Sequence, residues 1–159
     1  MSVTLFRVDD RLVHGQVVIG WGRPLRVGFI VLVDASVRAS AWEQDLYRMA
    51  VPDGIDVIFA DLDEAVQCLP DWSSDRRTGI LLTGDLATMS ELHDAHPDLV
   101  RRVNLGGIHH RTDRVEKLRY LYLASDEEQL LRHMRDTGAE VTAQDLPTAA
   151  PVALDAILR

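Results

Sequence analysis

The chain is short of the residues on which simple structural devices depend. Among its 159 residues there is a single cysteine, Cys68, which excludes an internal disulfide and any four-cysteine zinc site. Cys68 falls in the helix-like stretch Leu62-Asp-Glu-Ala-Val-Gln-Cys-Leu, where the expected role is that of a small buried hydrophobe. No apolar run approaches the roughly 18 residues of a membrane span, and no charged-then-apolar leader opens the chain. The expected setting is therefore the cytoplasm, without direct membrane insertion. A basic excess is also missing, since the formal net charge is −8. That argues against a general nucleic-acid binder, which needs a positive field to displace counterions, and against polybasic docking on an anionic membrane. An anionic ligand is still admissible if its own site is locally basic.

What is present describes an ordinary globular protein. Apolar residues make up 47% and charged residues 26% of the chain, close to the average for soluble domains, and disorder is not expected. The length suits one domain, spanning residues 1–159, with no repeat, low-complexity tract or linker.

The apolar period changes repeatedly along the chain. Val3–Val8, Val27–Val33, Ile55–Ala60, Gly79–Thr83, Val100–Leu105, Leu118–Leu123 and Glu140–Leu146 read as seven strands. Several are continuous β-branched runs, as in strands buried on both faces. Helical stretches lie between them. Trp42, Leu46, Met49 and Ala50 form the stripe of an amphipathic helix closed by Pro52. Asp61 and Asp85 can cap two further helices. Ser125 followed by Glu128 has the form of a capping box, with Gly138 as the helix stop. Val152–Leu158 reads as a last helical turn. The alternation predicts an α/β fold: an open, mainly parallel sheet of about seven strands with helices on both faces. Ligands of such sheets sit beyond the carboxyl ends of the strands.

The most informative loop follows the first strand: Asp9-Asp10-Arg11-Leu12-Val13-His14-Gly15-Gln16, leading into a helix that starts at Val17. A helix start offers unpaired N–H groups to an anion, and Gly15 allows close approach of the backbone. Arg11 can fork onto phosphate oxygens. Either Asp9 or Asp10 can accept a ring N–H from His14, fixing the tautomer and leaving the other nitrogen nucleophilic. Such a set suits transient phosphoryl transfer, in which catalysis is mostly positioning and charge stabilisation. The same residues could equally cap a helix and form surface ion pairs, and spacing alone does not decide between the two.

Other candidates follow later strands. In Asn104-Leu-Gly-Gly-Ile-His109, the paired Gly106 and Gly107 permit a tight turn beside the same sheet edge, with His109 as a further pocket member. His93 and His96 have zinc-compatible helical spacing but no third ligand, so a solvated helix end is expected and no metal. No cofactor is expected either. Thr83-Gly84-Asp85 can border the site or simply cap a helix, Asp34 can contribute to the pocket or order a loop, and Trp21 can serve in the core or in docking.

Arg7-Val-Asp-Asp-Arg-Leu-Val-His-Gly-Gln-Val closely resembles the signature of the IIB component of the mannose/fructose/sorbose family of the sugar phosphotransferase system (PTS). The segments Trp42–Gly54, Val103–His109 and Gln144–Thr148 resemble family segments in family order, so the similarity runs the whole chain. The resemblance implies that His14 accepts a phosphoryl group from the phosphohistidine of a IIA protein and passes it to a sugar at the membrane subunits IIC and IID. The activity would be that of a protein-N(pi)-phosphohistidine–sugar phosphotransferase, held peripherally at the inner face of the membrane through IIC and IID. Arg11 would pair with the phosphoryl oxygens, and Asp10 would help to orient His14. Gly15, Gln16, Asn104, Gly106, Gly107, His109 and Gln144 would complete the pocket. Gln144 stands where several family members carry arginine, which leaves Arg11, with Arg7 or Arg111, to supply positive charge. Two alternatives are a regulatory phosphoprotein of the same fold uncoupled from a transporter, and a small α/β protein that binds a phosphorylated metabolite.

Overall fold

Continuous runs such as Val27-Gly-Phe-Ile-Val-Leu-Val can be buried on both sides only in the middle of a sheet, and the structure puts them there. The computed structural model describes residues 3–14 and 20–159. Its strands are β1 (Val3–Val8), β2 (Val27–Val33), β3 (Asp56–Ala60), β4 (Thr78–Thr83), β5 (Arg102–Leu105), β6 (Val115–Leu118), β7 (Leu121–Leu123), β8 (Glu140–Ala143) and β9 (Val152–Ala153). Seven of them form one sheet in the order β3-β2-β4-β1-β5-β8-β9. All pairings in it are parallel except that of β8 with the short edge strand β9. The helices are α1 (Arg23–Leu25), α2 (Ala35–Arg38), α3 (Ala41–Met49), α4 (Leu62–Ser73), α5 (Leu86–Ala95), α6 (Ser125–Asp136) and α7 (Leu154–Ile157). Side chains of α4 to α7 pack on one face around Phe29, Val31 and Leu81, whereas α1 to α3 contribute to the cluster around Ile30, Leu32 and Ile80 on the other. No helix among the described residues is long and apolar enough to cross a membrane.

The expected α/β sheet is therefore the observed one, with local corrections. Leu118–Leu123 is not one strand of the main sheet: Arg119 and Tyr120 turn the chain, and β6 and β7 pair as a separate two-stranded antiparallel hairpin. The seventh strand is β9, where a last helical turn is expected from the sequence; its pairing with β8 takes Val152 and Ala153 before α7 begins. In α6 the N-cap is Ala124, and it is Glu127, not Glu128, that reaches back to the Ala124 N–H at 3.0 Å. Glu128 instead pairs with Lys117. The caps by Asp61 and Asp85 and the stop at Gly138, with φ at +109°, are as expected.

Two larger differences concern side chains. The stripe on α3 faces outward, with Trp42 66%, Leu46 53% and Met49 81% exposed, and it is Tyr47 that packs inward. His93 is not solvated. It is fully buried, its Nδ1 2.7 Å from the Val100 carbonyl and its Nε2 2.8 Å from the Thr137 hydroxyl.

Candidate active site at the carboxyl end of the central strand

β1 lies between β4 and β5, and its loop is tied to both neighbours. The Asp9 N–H donates to the Thr83 carbonyl at 2.9 Å, the Asp10 N–H to the Gly107 carbonyl at 2.9 Å, and the Gly106 N–H to the Val8 carbonyl at 2.8 Å. The chain then turns, with Leu12 N–H donating to the Asp9 carbonyl, and Leu12 adopts φ of +60°. A non-glycine residue in this left-handed region costs about 1–2 kcal/mol, which persists only where the surroundings over-determine the backbone. The strain lies two residues before His14.

The centre of the site is Asp9, which is fully buried. Its carboxylate receives the Arg11 fork, Nε at 2.9 Å and Nη2 at 2.8 Å, and the Arg11 backbone N–H at 3.1 Å. Arg7 Nη2 donates to it from 3.2 Å, and His14 Nε2 lies 3.7 Å from Oδ2. Burial pushes the carboxyl group up. The neighbouring His14 ring, the hydrogen bonds from Arg11 and the positive fields of both arginines outweigh it, so Asp9 stays ionised well below the usual carboxylate range. The bond with Asp9 raises Arg11 above its ordinary value, whereas burial lowers Arg7 despite its pairing with Asp9.

Arg7 is only 1% exposed and serves as a buried strut. It donates to the Asn104 side-chain oxygen, to the Gln144 carbonyl at 2.8 Å and to the Asp145 carbonyl at 3.1 Å. Its guanidinium also lies 4.9 Å from the centre of the buried Trp21 ring, a cation–π contact. Trp21 is thus a core residue. The strut explains Gly106: a Cβ there would sit 2.6 Å from Arg7 Cζ and 2.5 Å from Asp9 Oδ2. At Gly107 the nearest atom would be Arg11 Nε, at 3.1 Å.

The sequence-derived candidates divide accordingly. Asp9, Arg11, His14, Asn104, Gly106, Gly107 and His109 converge on one loop cluster. The Asp10 carboxylate is engaged by His109, whose N–H lies 2.7 Å from Oδ2 and whose Nδ1 lies 2.5 Å from Oδ1. The carboxylate recorded beside His14 is that of Asp9, 3.7 Å from Nε2. The Gln144 amide turns away, donating to the carbonyls of Pro147 at 3.2 Å and Ala149 at 2.7 Å, so only its backbone joins the cluster. Gly15 and Gln16 lie outside the described residues, as does the start of the expected helix at Val17. Asp34 and Asp85 are occupied as caps of α2 and α5. The sequence reading missed Asp145, whose Oδ1 lies 3.5 Å from Arg11 Nη2, and the structural role of Arg7. An arginine inside the apolar strand Val3–Val8 was the available signal for the second.

Chemically, the ring of His14 is held with Nε2 buried against a carboxylate that stays ionised, while its side chain as a whole is 22% exposed. The partly exposed Arg11 stands on the same carboxylate. A carboxylate beside one ring nitrogen favours the tautomer with its proton there, which makes the other nitrogen the more nucleophilic of the two.

Comparison with known proteins gives the family. Residues 3–159 match the family described as the PTS system sorbose subfamily IIB component. A sorbose-specific EIIB component of Lacticaseibacillus casei is 24% identical over 150 residues, covering 93% of this chain and 90% of the relative. An N-acetylgalactosamine-specific phosphotransferase enzyme IIB component of Escherichia coli (strain K12) is 24% identical, covering 99% of each. The crystal structure of the IIBSor domain of the sorbose permease from Klebsiella pneumoniae superposes with a TM-score of 0.88 at 24% identity, covering 99% of this chain and 96% of that one.

Proposed function

The chain belongs to the sorbose-subfamily IIB components of the PTS, and from that premise we propose that it is a phosphocarrier working through His14. His14 takes a phosphoryl group from the phosphohistidine of a IIA protein and yields it to a sugar hydroxyl at the membrane subunits IIC and IID. IIB components are phosphotransferases; what supports His14 as the carrier in this one is its contact with the buried, ionised Asp9.

That contact also favours one ring nitrogen. With the proton on Nε2, facing Asp9, the lone pair is on Nδ1. Nδ1 then attacks the phosphorus of the donor, an N–P bond forms as the donor's N–P bond breaks, and the electron pair of the broken bond stays on the donor imidazole. Passage to the sugar reverses the roles: the hydroxyl oxygen attacks, its proton is released, and the pair returns to Nδ1. The growing positive charge on the ring is offset by Asp9 in the manner of a triad carboxylate. Arg11 is placed to balance charge on the phosphoryl oxygens.

The test is phosphorylation from phosphoenolpyruvate with the general PTS proteins and a matching IIA. Wild type takes up acid-labile, base-stable label and His14→Ala takes none; absence of label on wild type, or equal label on both, refutes the reading.

A further inference from the structure

Both oxygens of the Asp10 carboxylate are taken by one residue, His109, through its backbone N–H at 2.7 Å and its ring Nδ1 at 2.5 Å. His109 lies 99 residues further along the chain, in the loop after β5. That residue is itself anchored from behind. Arg114 Nη1 donates to the His109 carbonyl at 2.8 Å, and the rest of the Arg114 guanidinium grips Glu127 at 2.8 and 2.9 Å. Glu127 in turn caps α6 through the Ala124 N–H. The neighbouring His110 ring turns the other way, edge-on to Tyr122 with ring centres 5.6 Å apart. A rigid chain of contacts thus runs from α6 to Asp10, the third residue of the segment 8–14 that carries Leu12 in its left-handed conformation and ends at His14.

We propose that His109 is a positioning residue for phosphoryl transfer: by holding Asp10 it straps the His14 loop to the loop after β5. The His109 side chain is 69% exposed, so its removal spares the core while loosening the loop. Facing a carboxylate, Nδ1 carries a proton and donates. The loop cannot hold a reacting nitrogen in line with an incoming phosphorus unless its own backbone is fixed, and small misplacements of this kind are expensive in rate.

The inference rests on the phosphocarrier reading, and the experiment separates the two. The rate of phosphoryl transfer from phosphorylated IIA is measured at saturating and sub-saturating donor for wild type, His109→Ala, His109→Asn, Asp10→Ala and the His109→Ala/Asp10→Ala pair. His109→Ala lowers the maximal rate about tenfold and leaves the half-saturating donor concentration and the thermal midpoint near wild type. His109→Asn, whose amide nitrogen occupies the place of Nδ1, recovers most of the rate. The double variant is no slower than Asp10→Ala alone, because Asp10→Ala already removes both bonds of the strap, the ring bond included. A wild-type maximal rate in His109→Ala, a change confined to the half-saturating concentration, failure of Asn to rescue, or additive losses in the double variant overturns the inference while the phosphocarrier reading stands. Absence of label on wild-type His14 removes both.

Discussion

Replacing Asp9 by asparagine tests whether the site is organised around a buried charge. The substitution keeps shape and removes the anion between Arg7 and Arg11, which are 1% and 28% exposed at their side chains. Losing one partner of a buried ion pair typically costs about 3–5 kcal/mol, because the surviving charge stays buried and unpaired. Here that charge is Arg7. The Arg11 share is discounted because its guanidinium reaches solvent. In a domain of this size about 1 kcal/mol moves the thermal midpoint by roughly 2–4 °C, so Asp9→Asn should melt about 6–20 °C below wild type. The pH dependence has a definite sign. The folded carboxyl titrates below its ordinary value of 3.8, so its contribution is complete at any pH above that value and drains away as pH falls beneath it. Urea melts at neutral pH and in steps down to about pH 3 should show a constant gap between variant and wild type that narrows only below about pH 4. A gap under about 1 kcal/mol at neutral pH, or one that closes between about pH 7 and 5, refutes a buried, ionised Asp9.

Adjacent glycines give a graded test. Gly106→Ala should cost at least about 1–3 kcal/mol in a urea melt, since its Cβ meets the Arg7–Asp9 pair and neither can retreat; Gly107→Ala should cost less, because Arg11 can shift toward solvent, and the opposite order contradicts the packing described. On α3, Met49→Gln should change stability by less than about 0.5 kcal/mol; a loss of about 2 kcal/mol or more would mean that the side chain is core after all.

The central strands were readable because a strand buried on both faces writes itself as an unbroken apolar run, as in Val27–Val33 and Gly79–Thr83. The elements misread are those in which periodicity is silent about context. Leu118-Arg-Tyr-Leu-Tyr-Leu is apolar enough for a strand, but nothing local shows that the chain reverses at Arg119 and Tyr120. Val152–Ala153 is only two residues long and owes its conformation to β8. The α3 pattern of Trp42, Leu46 and Met49 states that one face is apolar without stating what covers it. His93 fits a solvated helix end by sequence, yet Val100 and Thr137, the latter 44 residues away, bury it with both nitrogens paired.

The position of His14 was legible in its loop, whereas the assignment of the two carboxylates was not, although strand geometry contains it. Successive side chains of a strand point to opposite faces. Val8 belongs to the core on the α4–α7 side, which puts Arg7 on the other face and Asp9, two residues on, beside it. Asp10 departs from that face toward the loop after β5. A pairing of Arg7 with Asp9 therefore follows from the register of β1 alone, and it leaves Asp9 as the carboxylate next to Arg11 and His14. What register cannot supply is the burial that makes the pairing matter. The Asn104 side chain and the Gln144 and Asp145 carbonyls, 97 to 138 residues away, close over Arg7. Their closure converts an ordinary pair of neighbours into a buried ionic centre that can orient an imidazole.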